Sequence, residues 1–460
     1  MALWLTLAGF VSGILTEVAR PLVVALVGGV LLIPRRVAAL TAGGVFLVGL
    51  GLGSLSTAVR APDGTAASML ASEVARCEVS GSLLEHLGNG ASLVGISRAN
   101  CTERAPLDDL GPLAFPRLDT DAGTTLEAVG WIYPLEWEGF DAYLTRSGAL
   151  AGFHPIEVIT RSMPSGALAV AAEVKGGLRN AVSSLGAREG ALLLGLTIGD
   201  TSRMDPVTED HLRRAGLTHL VAVSGSNVAI VLGSLILVVA FAGFRTRLVI
   251  ASLGLVLFVL VTGPEPSVLR AAAMGAIGLA ALALGERIPT LRVLGLALLC
   301  VLALRPGMLG SLGLQLSVAA TAGIILWARP ISDRLTFLPR PVSLGFGATV
   351  AAQVAVAPLL AAGFGEVSVA GLPANLLAMP AVAPATILGF AAAMVGPFWA
   401  PGAGLIARFA GPFVTLILEV GDLFGGAAWA TISIPPILAA ASGVAVLGAA
   451  IGTLVGRARG

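Results

Sequence analysis

The chain has 460 residues, of which 56% are hydrophobic and only 12% are charged, and its formal net charge at pH 7 is +1. Soluble domains carry about 25% charged residues, so this composition excludes an ordinary soluble protein and indicates a polytopic α-helical membrane protein. The sequence contains no P-loop and no nucleotide-binding fingerprint, and its four histidines are not spaced as metal ligands. We therefore expect no metal, no cofactor and no enzymatic activity from this chain.

Three apolar runs near 2–17, 20–34 and 38–57 predict membrane helices in an N-terminal region, residues 1–58. Because the bilayer core needs about 20 helical residues, the first two runs are short and could be tilted, re-entrant or fused. The first run has neither a basic n-region nor a small-residue cleavage site, which argues for a membrane helix and against a removed signal peptide.

Residues 60–165 are predicted to form a separate β domain outside the membrane. Segments with partial alternation of apolar and polar residues are separated by turns that contain Gly, Asn and Asp. The predicted strands cover 73–85, 91–98, 124–133 and 155–161. Four or five short strands in about a hundred residues favour a small β-barrel, with an OB-like fold ahead of a plain sandwich.

Two of the three cysteines, Cys77 and Cys101, lie in this β domain. In an extracytoplasmic domain such a pair predicts a disulfide, and two unpaired buried thiols are the alternative. The third, Cys300, lies in an apolar run and is expected to be a small core residue.

Residues 166–215 connect the β domain to the membrane domain. The periodicity over 167–187 predicts an amphipathic helix that rests on the outer leaflet, with Glu173, Lys175 and Arg179 on its polar side. A polar segment rich in Asp and Arg follows it and ends where the next apolar run begins.

Nine further apolar runs form a membrane domain from 216 to 460, so we expect about 10–12 membrane-spanning helices in the whole chain. The predicted spans are 218–243, 247–263, 266–285, 290–305, 310–328, 341–363, 374–398, 404–421 and 437–456. The span at 404–421 is interrupted by Arg408 and Glu419 and could instead lie flat at the interface.

Arginines between the spans fall on one side of the membrane if the spans alternate in direction. These loops contain Arg35 and Arg36, Arg245 and Arg247, Arg287 and Arg292, Arg329, Arg334 and Arg340, and Arg457 and Arg459. The opposite loops are nearly free of basic residues. The positive-inside rule then places both termini in the cytoplasm and residues 60–215 outside the plasma membrane.

Polar residues inside or beside the apolar spans predict a water-accessible path between helices, because polar groups at membrane depth need partners or a wet cavity. The path is expected to be lined by Asp200, Asp210, Arg213, His219, Ser224, Gly225, Asn227, Arg270, Gln315, Ser317 and Asn375. We expect these residues to converge on one cavity that opens toward the β domain. Arg270 is the strongest candidate, with Asp200 or Asp210 as its counter-charge. For Ser224 or Ser317 alone, a hydrogen bond between helices is the alternative interpretation.

Four blocks in this order resemble the ComEC-type family of competence proteins. The first comprises Gly199-Asp200 and HLRRAGLTHLVAVSGSN, and the others are TGPEPSVLRAAAM (262–274), LRPGMLGSLGLQLSVAATAG (304–323) and VAPLLAAGFGEVSVAGLPANLLAMPAV (356–382). The segment EGFDAYLTRSGALAGFHPIEV (138–158) is similar to the end of the OB-like domain of that family. The resemblance implies an inner-membrane channel that passes single-stranded DNA into the cytoplasm during natural transformation.

Two departures from the family pattern limit what the resemblance implies. The family commonly has His where this chain has Asn227. Many members also carry a C-terminal metallo-β-lactamase-like domain, proposed as a nuclease, and these 460 residues contain neither that domain nor its metal motif. We therefore expect a channel without nuclease activity.

Three functions follow as hypotheses. The first is the DNA channel, whose expected partners are single-stranded DNA, membrane lipid, a DNA-receptor protein outside, a separate nuclease and a cytoplasmic DNA motor. The second is a transporter of a small polar or anionic solute. The third is a membrane hydrolase built on Ser224 and His219, for which no orienting carboxylate is evident. The sequence predicts no oligomeric state.

Overall fold

The computed structural model describes residues 74–459 apart from 88–89, 103–106, 136–140, 142–143, 146–148, 222–223, 306–307 and 310. The helices predicted within residues 1–58 and the basic loop at Arg35 and Arg36 lie outside the described residues. The described chain consists of a β-barrel, four connecting helices and a bundle of apolar helices.

Five strands form a closed barrel. They are β1 (Ala75–Leu87), β2 (Ala91–Cys101), β3 (Leu107–Pro116), β4 (Thr125–Tyr133) and β5 (Ala151–Ser162). β1 pairs antiparallel with both β2 and β4, β2 pairs with β3, and β4 pairs with β5. A short parallel contact between β3 and β5, in which Leu113 faces Ala151, closes the ring.

Alternate side chains of the strands fill the barrel interior. In β4, for example, Leu126, Ala128 and Ile132 are buried, as expected where side chains alternate between two faces. Phe115 of β3 and Phe153 of β5 stack there with ring centroids 4.5 Å apart. The sequence pattern does not predict β3, because its two aspartates and its internal proline are unfavourable in strands.

Cys77 and Cys101 form a disulfide bond with Cα atoms 4.0 Å apart, which confirms the prediction. The two residues are direct partners in the ladder between β1 and β2. The bond therefore joins the start of β1 to the end of β2.

Thirteen α-helices occur in the described part of the chain. The connecting helices are α1 (Ala167–Ala181), α2 (Ala187–Ile198), α3 (Pro206–Arg214) and α4 (Thr218–Val221). The bundle contains α5 (Gly225–Val238), α6 (Phe244–Thr262), α7 (Pro266–Ala283), α8 (Thr290–Leu304), α9 (Leu312–Ser332), α10 (Arg340–Phe364), α11 (Gly371–Val395), α12 (Ala400–Gly425) and α13 (Pro436–Arg459). Two short strands, β6 (Glu366–Ser368) and β7 (Thr431–Ser433), pair antiparallel.

Seven of the described helices are long and apolar enough to cross a membrane, namely α6, α7, α9, α10, α11, α12 and residues 437–454 of α13. The helices α5 and α8 are apolar but shorter, with 14 and 15 residues. The prediction of a multi-pass helical membrane protein is therefore confirmed. The region 404–421 lies inside the 26-residue helix α12, so its length suits a full span.

The span predicted over 218–243 is not one helix. The structure has the four-residue helix α4 and then α5, which begins only at Gly225 after an extended Ser224. The physical reason is local: Ser-Gly-Ser-Asn favours caps and turns over a helix interior. A helix terminus is therefore placed inside an otherwise apolar region.

The amphipathic helix predicted on the outer leaflet is instead packed against protein. Val174 and Leu178 of α1 are buried in the same core cluster as residues of α11 and α12. Gly177 permits the close approach, since a Cβ there would lie 2.9 Å from the Cα of Gly396. The prediction of a leaflet-bound helix was wrong because the apolar face of α1 faces other helices.

The helix α2 lies at the centre of this core. Every residue from Gly190 to Ile198 is buried. A helix that is apolar on all sides is stable in such a position. It ends at Gly199, which adopts the left-handed conformation with φ 74°.

The disulfide leads to a test of barrel stability. Replacing both Cys77 and Cys101 by Ser should lower the free energy of unfolding of the barrel by about 3 kcal/mol, because the bond closes a long loop in the unfolded chain. Thermal unfolding of the full chain in detergent, compared with the Cys300→Ser variant, measures the difference. Denatured, unreduced protein should offer a maleimide only the Cys300 thiol, and two further thiols without reduction would contradict the bond.

Candidate functional site

Arg270 lies in the second turn of α7 and is almost completely buried, with 5% of its surface exposed. Its Nε donates to the hydroxyl of Ser317 on α9 at 2.9 Å, and its Nη1 lies 3.3 Å from the sulfur of Met274. The described residues include no carboxylate within ion-pair distance of this guanidinium. The described contacts of the guanidinium are therefore with uncharged groups inside the helical bundle.

The guanidinium also lies against the start of α5. A Cβ on Gly225 would be only 2.5 Å from Nη2 of Arg270. Because Nη2 is the far end of a flexible side chain, a Cβ at this position would displace the guanidinium. Ser224 precedes it as an extended N-cap residue without a capping hydrogen bond from its side chain.

Asn227 connects α5 to α2. Its side chain is fully buried, and its Nδ2 donates to the carbonyl of Leu196 at 2.9 Å. Leu196 lies in the last turn of α2, where carbonyl groups have no partner within the helix. Asn227 thus satisfies a backbone group that would otherwise be unpaired in the core.

Five of the predicted path residues therefore meet where α5, α7 and α9 approach one another. They are Ser224, Gly225, Asn227, Arg270 and Ser317. Within this group the Ser224 hydroxyl lies 3.4 Å from the Asn227 Oδ1 and also contacts Ser226. The described contacts include no hydrogen bond between Ser224 and His219, so the geometry does not favour the hydrolase hypothesis.

Two other predicted residues hold loops at helix ends. The amide of Gln315 donates to the carbonyl of Leu309, just before α9 begins. The buried amide of Asn375 donates to the carbonyls of Gly371 at 2.7 Å and Gly216 at 3.4 Å. Their described contacts are with backbone carbonyls and not with Arg270.

Asp200 is not the counter-charge of Arg270, which corrects the prediction. Its carboxylate pairs with Arg117 of the barrel and Arg179 of α1, each at 3.2 Å, and accepts hydrogen bonds from Ser202. Burial raises the pKa of Asp200, but the hydrogen bonds from Ser202 and the two arginines outweigh it, so the net pKa lies below its usual value. Asp200 therefore joins the barrel to the helices.

Asp210 is likewise engaged elsewhere. It pairs with Arg213 at 2.7 Å within α3, and Arg213 also reaches Glu366 of β6 at 3.5 Å. Asp210 and Arg213 are about half exposed. The expectation that all eleven residues share one cavity was therefore too broad, because Asp210 and Arg213 pair with each other within α3 and Arg213 also reaches Glu366 of β6.

Sequence reasoning missed most of the charged contacts between the barrel and the helices. Asp121, near the start of β4, pairs with Arg179 at 3.2 Å and Lys175 at 3.6 Å on α1. Glu85 of β1, which is 8% exposed, accepts from Arg305 at 2.9 Å after α8. The one signal in the sequence is the polar side of the helix predicted over 167–187, for which the sequence analysis gives a place on the outer leaflet.

A second ionic cluster joins α2, α3 and α12 at the edge of a cleft of about 530 Å³. Asp422 accepts from Arg188 and from His211, both at 2.9 Å. Arg188 also donates to the hydroxyl of Thr208. No group of three His, Cys, Asp or Glu that could hold a metal ion occurs in the described parts of the chain.

The model of the competence protein family matches residues 196–459. The chain belongs to the competence protein family. All eleven predicted path residues lie inside the matched region. The family assigns this multi-pass membrane protein a role in competence.

A curated relative is ComE operon protein 3 of Bacillus subtilis (strain 168), which is 29% identical over 187 residues. The match covers 40% of this chain and 24% of that protein. The chain thus spans about a quarter of the relative that it matches. No solved structure matches.

The Asp200 contacts lead to a prediction about barrel docking. Asp200→Asn should raise amide exchange of residues 117–121 by roughly tenfold, because both arginines lose a charged acceptor. Hydrogen exchange of the full chain in detergent measures the change. Asp210→Asn removes a half-exposed carboxylate of an i,i+3 pair and serves as the control. Equal exchange in the parent protein and Asp200→Asn would contradict the assigned role.

The same contact predicts a pH dependence. A carboxylate whose pKa is lowered in the folded state adds stability above its unfolded pKa, about 3.9, and loses it as the pH falls through the folded value. Slow exchange at residues 117–121 should therefore persist down to about pH 4 and be lost below it. Loss of protection already near pH 6 would contradict this assignment.

Proposed function

We propose that this protein is a channel that passes single-stranded DNA across the plasma membrane into the cytoplasm during natural transformation. The observation that carries the proposal is Arg270, a buried cation without a carboxylate partner among the described residues. Charges within membrane helices are costly and typically mark a path for ions or polar substrates. Single-stranded DNA carries a negative charge on every phosphate, which such a cation would attract.

The neighbouring polar groups suit the same substrate. Ser224 and Ser317 offer hydroxyl groups, and the break between α4 and α5 exposes a helix terminus within the apolar region. Broken helices at membrane depth are typical of proteins that bind or pass a substrate there. Membership of the competence family favours DNA over an unrelated solute.

We propose that the barrel is an OB-like receiver for the incoming strand. Its five strands match the strand number of the OB-fold barrel, a class that commonly binds oligonucleotides. Its contacts through Asp121, Asp200 and Glu85 would hold it over the helices that carry the path. Receptor, nuclease and motor functions would then belong to separate partner proteins.

The orientation follows from the charges at the two ends of the bundle. The barrel contacts Arg305, in the loop after α8, and Glu85 and Glu265 are close enough to interact electrostatically. At the other ends of these helices, Arg287 and Arg334 lie in loops and Arg245 lies in the first turn of α6. The positive-inside rule then places those loops in the cytoplasm and the barrel outside.

Arg270 provides the test of function. Arg270→Gln should leave the protein inserted and reduce transformation roughly ten- to hundredfold, since a cation at the path would be lost and a charged hydrogen bond contributes about 1.5–3 kcal/mol. Transformation frequency, normalised to membrane protein level, is the readout. Arg340→Gln, which removes an exposed cytoplasmic-end arginine paired with Asp333, is the control.

Two outcomes would contradict the channel. The first is parental transformation in Arg270→Gln. The second is a result in which Arg270→Gln abolishes uptake of a small anion but leaves transformation unchanged. That result would favour the solute transporter.

The orientation has its own test. Thr160→Cys on the exposed part of β5 should react with an impermeant maleimide added to intact cells, and Thr336→Cys between α9 and α10 should react only after lysis. Each variant is made in a Cys300→Ser background. Labelling of both positions from the same side would show the orientation to be wrong.

A further inference from the structure

The guanidinium of Arg270 lies against the first turn of α5. Nη2 of Arg270 lies close enough to Gly225 that a Cβ there would be 2.5 Å away. A helix N-terminus carries a partial positive charge, so a cation is unfavourable beside it. Two positive groups adjoin here, and the described residues include no carboxylate that neutralises them.

Both groups have hydrogen-bond donors to spare. The N-cap residue Ser224 makes no side-chain cap to α5; its hydroxyl contacts Ser226 and Asn227 instead. On Arg270, Nε is used by Ser317 and Nη1 lies against the sulfur of Met274, whereas Nη2 has no acceptor among the described residues. Arg270 is buried, with 5% of its surface exposed, and Nη2 keeps its donors inside the bundle.

From these two observations we infer that the N-terminus of α5, Arg270 and Ser317 form a binding site for one phosphodiester oxyanion. Backbone N–H groups at a helix N-terminus are a general site for phosphate, and arginine adds charge and planar donors. The inference rests on the proposed function and deepens it. The site would contact the strand through its backbone, one phosphate at a time and without regard to base sequence.

Gly225 is the positioning residue of this site. Its lack of a side chain allows Nη2 to approach the helix terminus, and any Cβ would displace the guanidinium. Gly225→Ala should therefore weaken phosphate binding without removing any donor. Gly233, in the interior of the same helix, has open space where a Cβ would lie, so Gly233→Ala is a control for a Gly-to-Ala change in α5 that leaves Arg270 untouched.

The experiment uses the full chain in neutral-lipid nanodiscs, with Ser226→Cys as a reporter in a Cys300→Ser background. Ser226 is exposed and adjoins the site, so a bound anion should shield its thiol. The alkylation rate is measured with chloride, inorganic phosphate, a short oligothymidylate, an uncharged methylphosphonate oligomer of the same length, and a short-chain phosphatidylglycerol.

Phosphate and oligothymidylate should each slow alkylation, and the methylphosphonate oligomer should not. Gly225→Ala and Arg270→Gln should reduce the apparent affinity for phosphate about tenfold or more, and Gly233→Ala should leave it within about twofold. Absence of protection by every anion in the parent, or equal protection in Gly225→Ala, would overturn the site.

The remaining outcomes separate the site from the proposed function. Protection by phosphatidylglycerol alone would support an oxyanion site that is filled by a lipid headgroup, and it would contradict the DNA channel. Protection by oligothymidylate together with parental transformation in Arg270→Gln would also support the site and contradict the channel.

Discussion

Polar groups buried among apolar helices must be satisfied by protein, and this constraint organises the membrane domain. The helix α2 ends inside the core, so its last carbonyls need donors. Asn227 supplies one to Leu196, and Asn375 does the same for Gly216 at the end of the segment that follows α3. Each of these amides lies near the start of a bundle helix, so the connecting segment and the bundle are held together where the chain is least regular.

Arg270 is the exception that suggests a function. Its Ser317 contact orients the guanidinium but does not neutralise it. Asn227 and Arg270 flank the start of α5. Asn227 is paired with the carbonyl of Leu196, whereas Arg270 still has hydrogen-bond donors available. A path for a polyanion needs such an arrangement, in which most polar groups are paired within the protein and a few positive groups remain without a negative partner.

Several ionic contacts attach the barrel to the helices. Asp121 and Asp200 bridge α1 and the barrel, and Glu85 reaches Arg305 on the far side. Charged contacts of partly exposed groups are directional and individually modest, so several are needed to fix one orientation. This attachment fixes the five-stranded barrel against the helices, which is the arrangement that the proposed channel requires.

Composition and local patterns were sufficient to predict the membrane class, most span positions, four of the five strands and the cysteine pair. These features depend on hydropathy and on short-range periodicity, which are properties of the chain itself. Arg270 could also be chosen as the strongest candidate from the sequence, because a charged residue within an apolar run is recognised from the sequence alone.

The partners of the charges were decided only by the tertiary structure. The sequence predicts Asp200 or Asp210 as the counter-charge of Arg270. In the structure Asp200 pairs with Arg117 and Arg179, and Asp210 pairs with Arg213. The amphipathic pattern of α1 shows that one face is buried, but it does not distinguish lipid from the small-residue surface around Gly396 that covers it. Ion pairing and helix contact depend on distances between segments far apart in sequence, and these exist only once the barrel and the bundle have packed together.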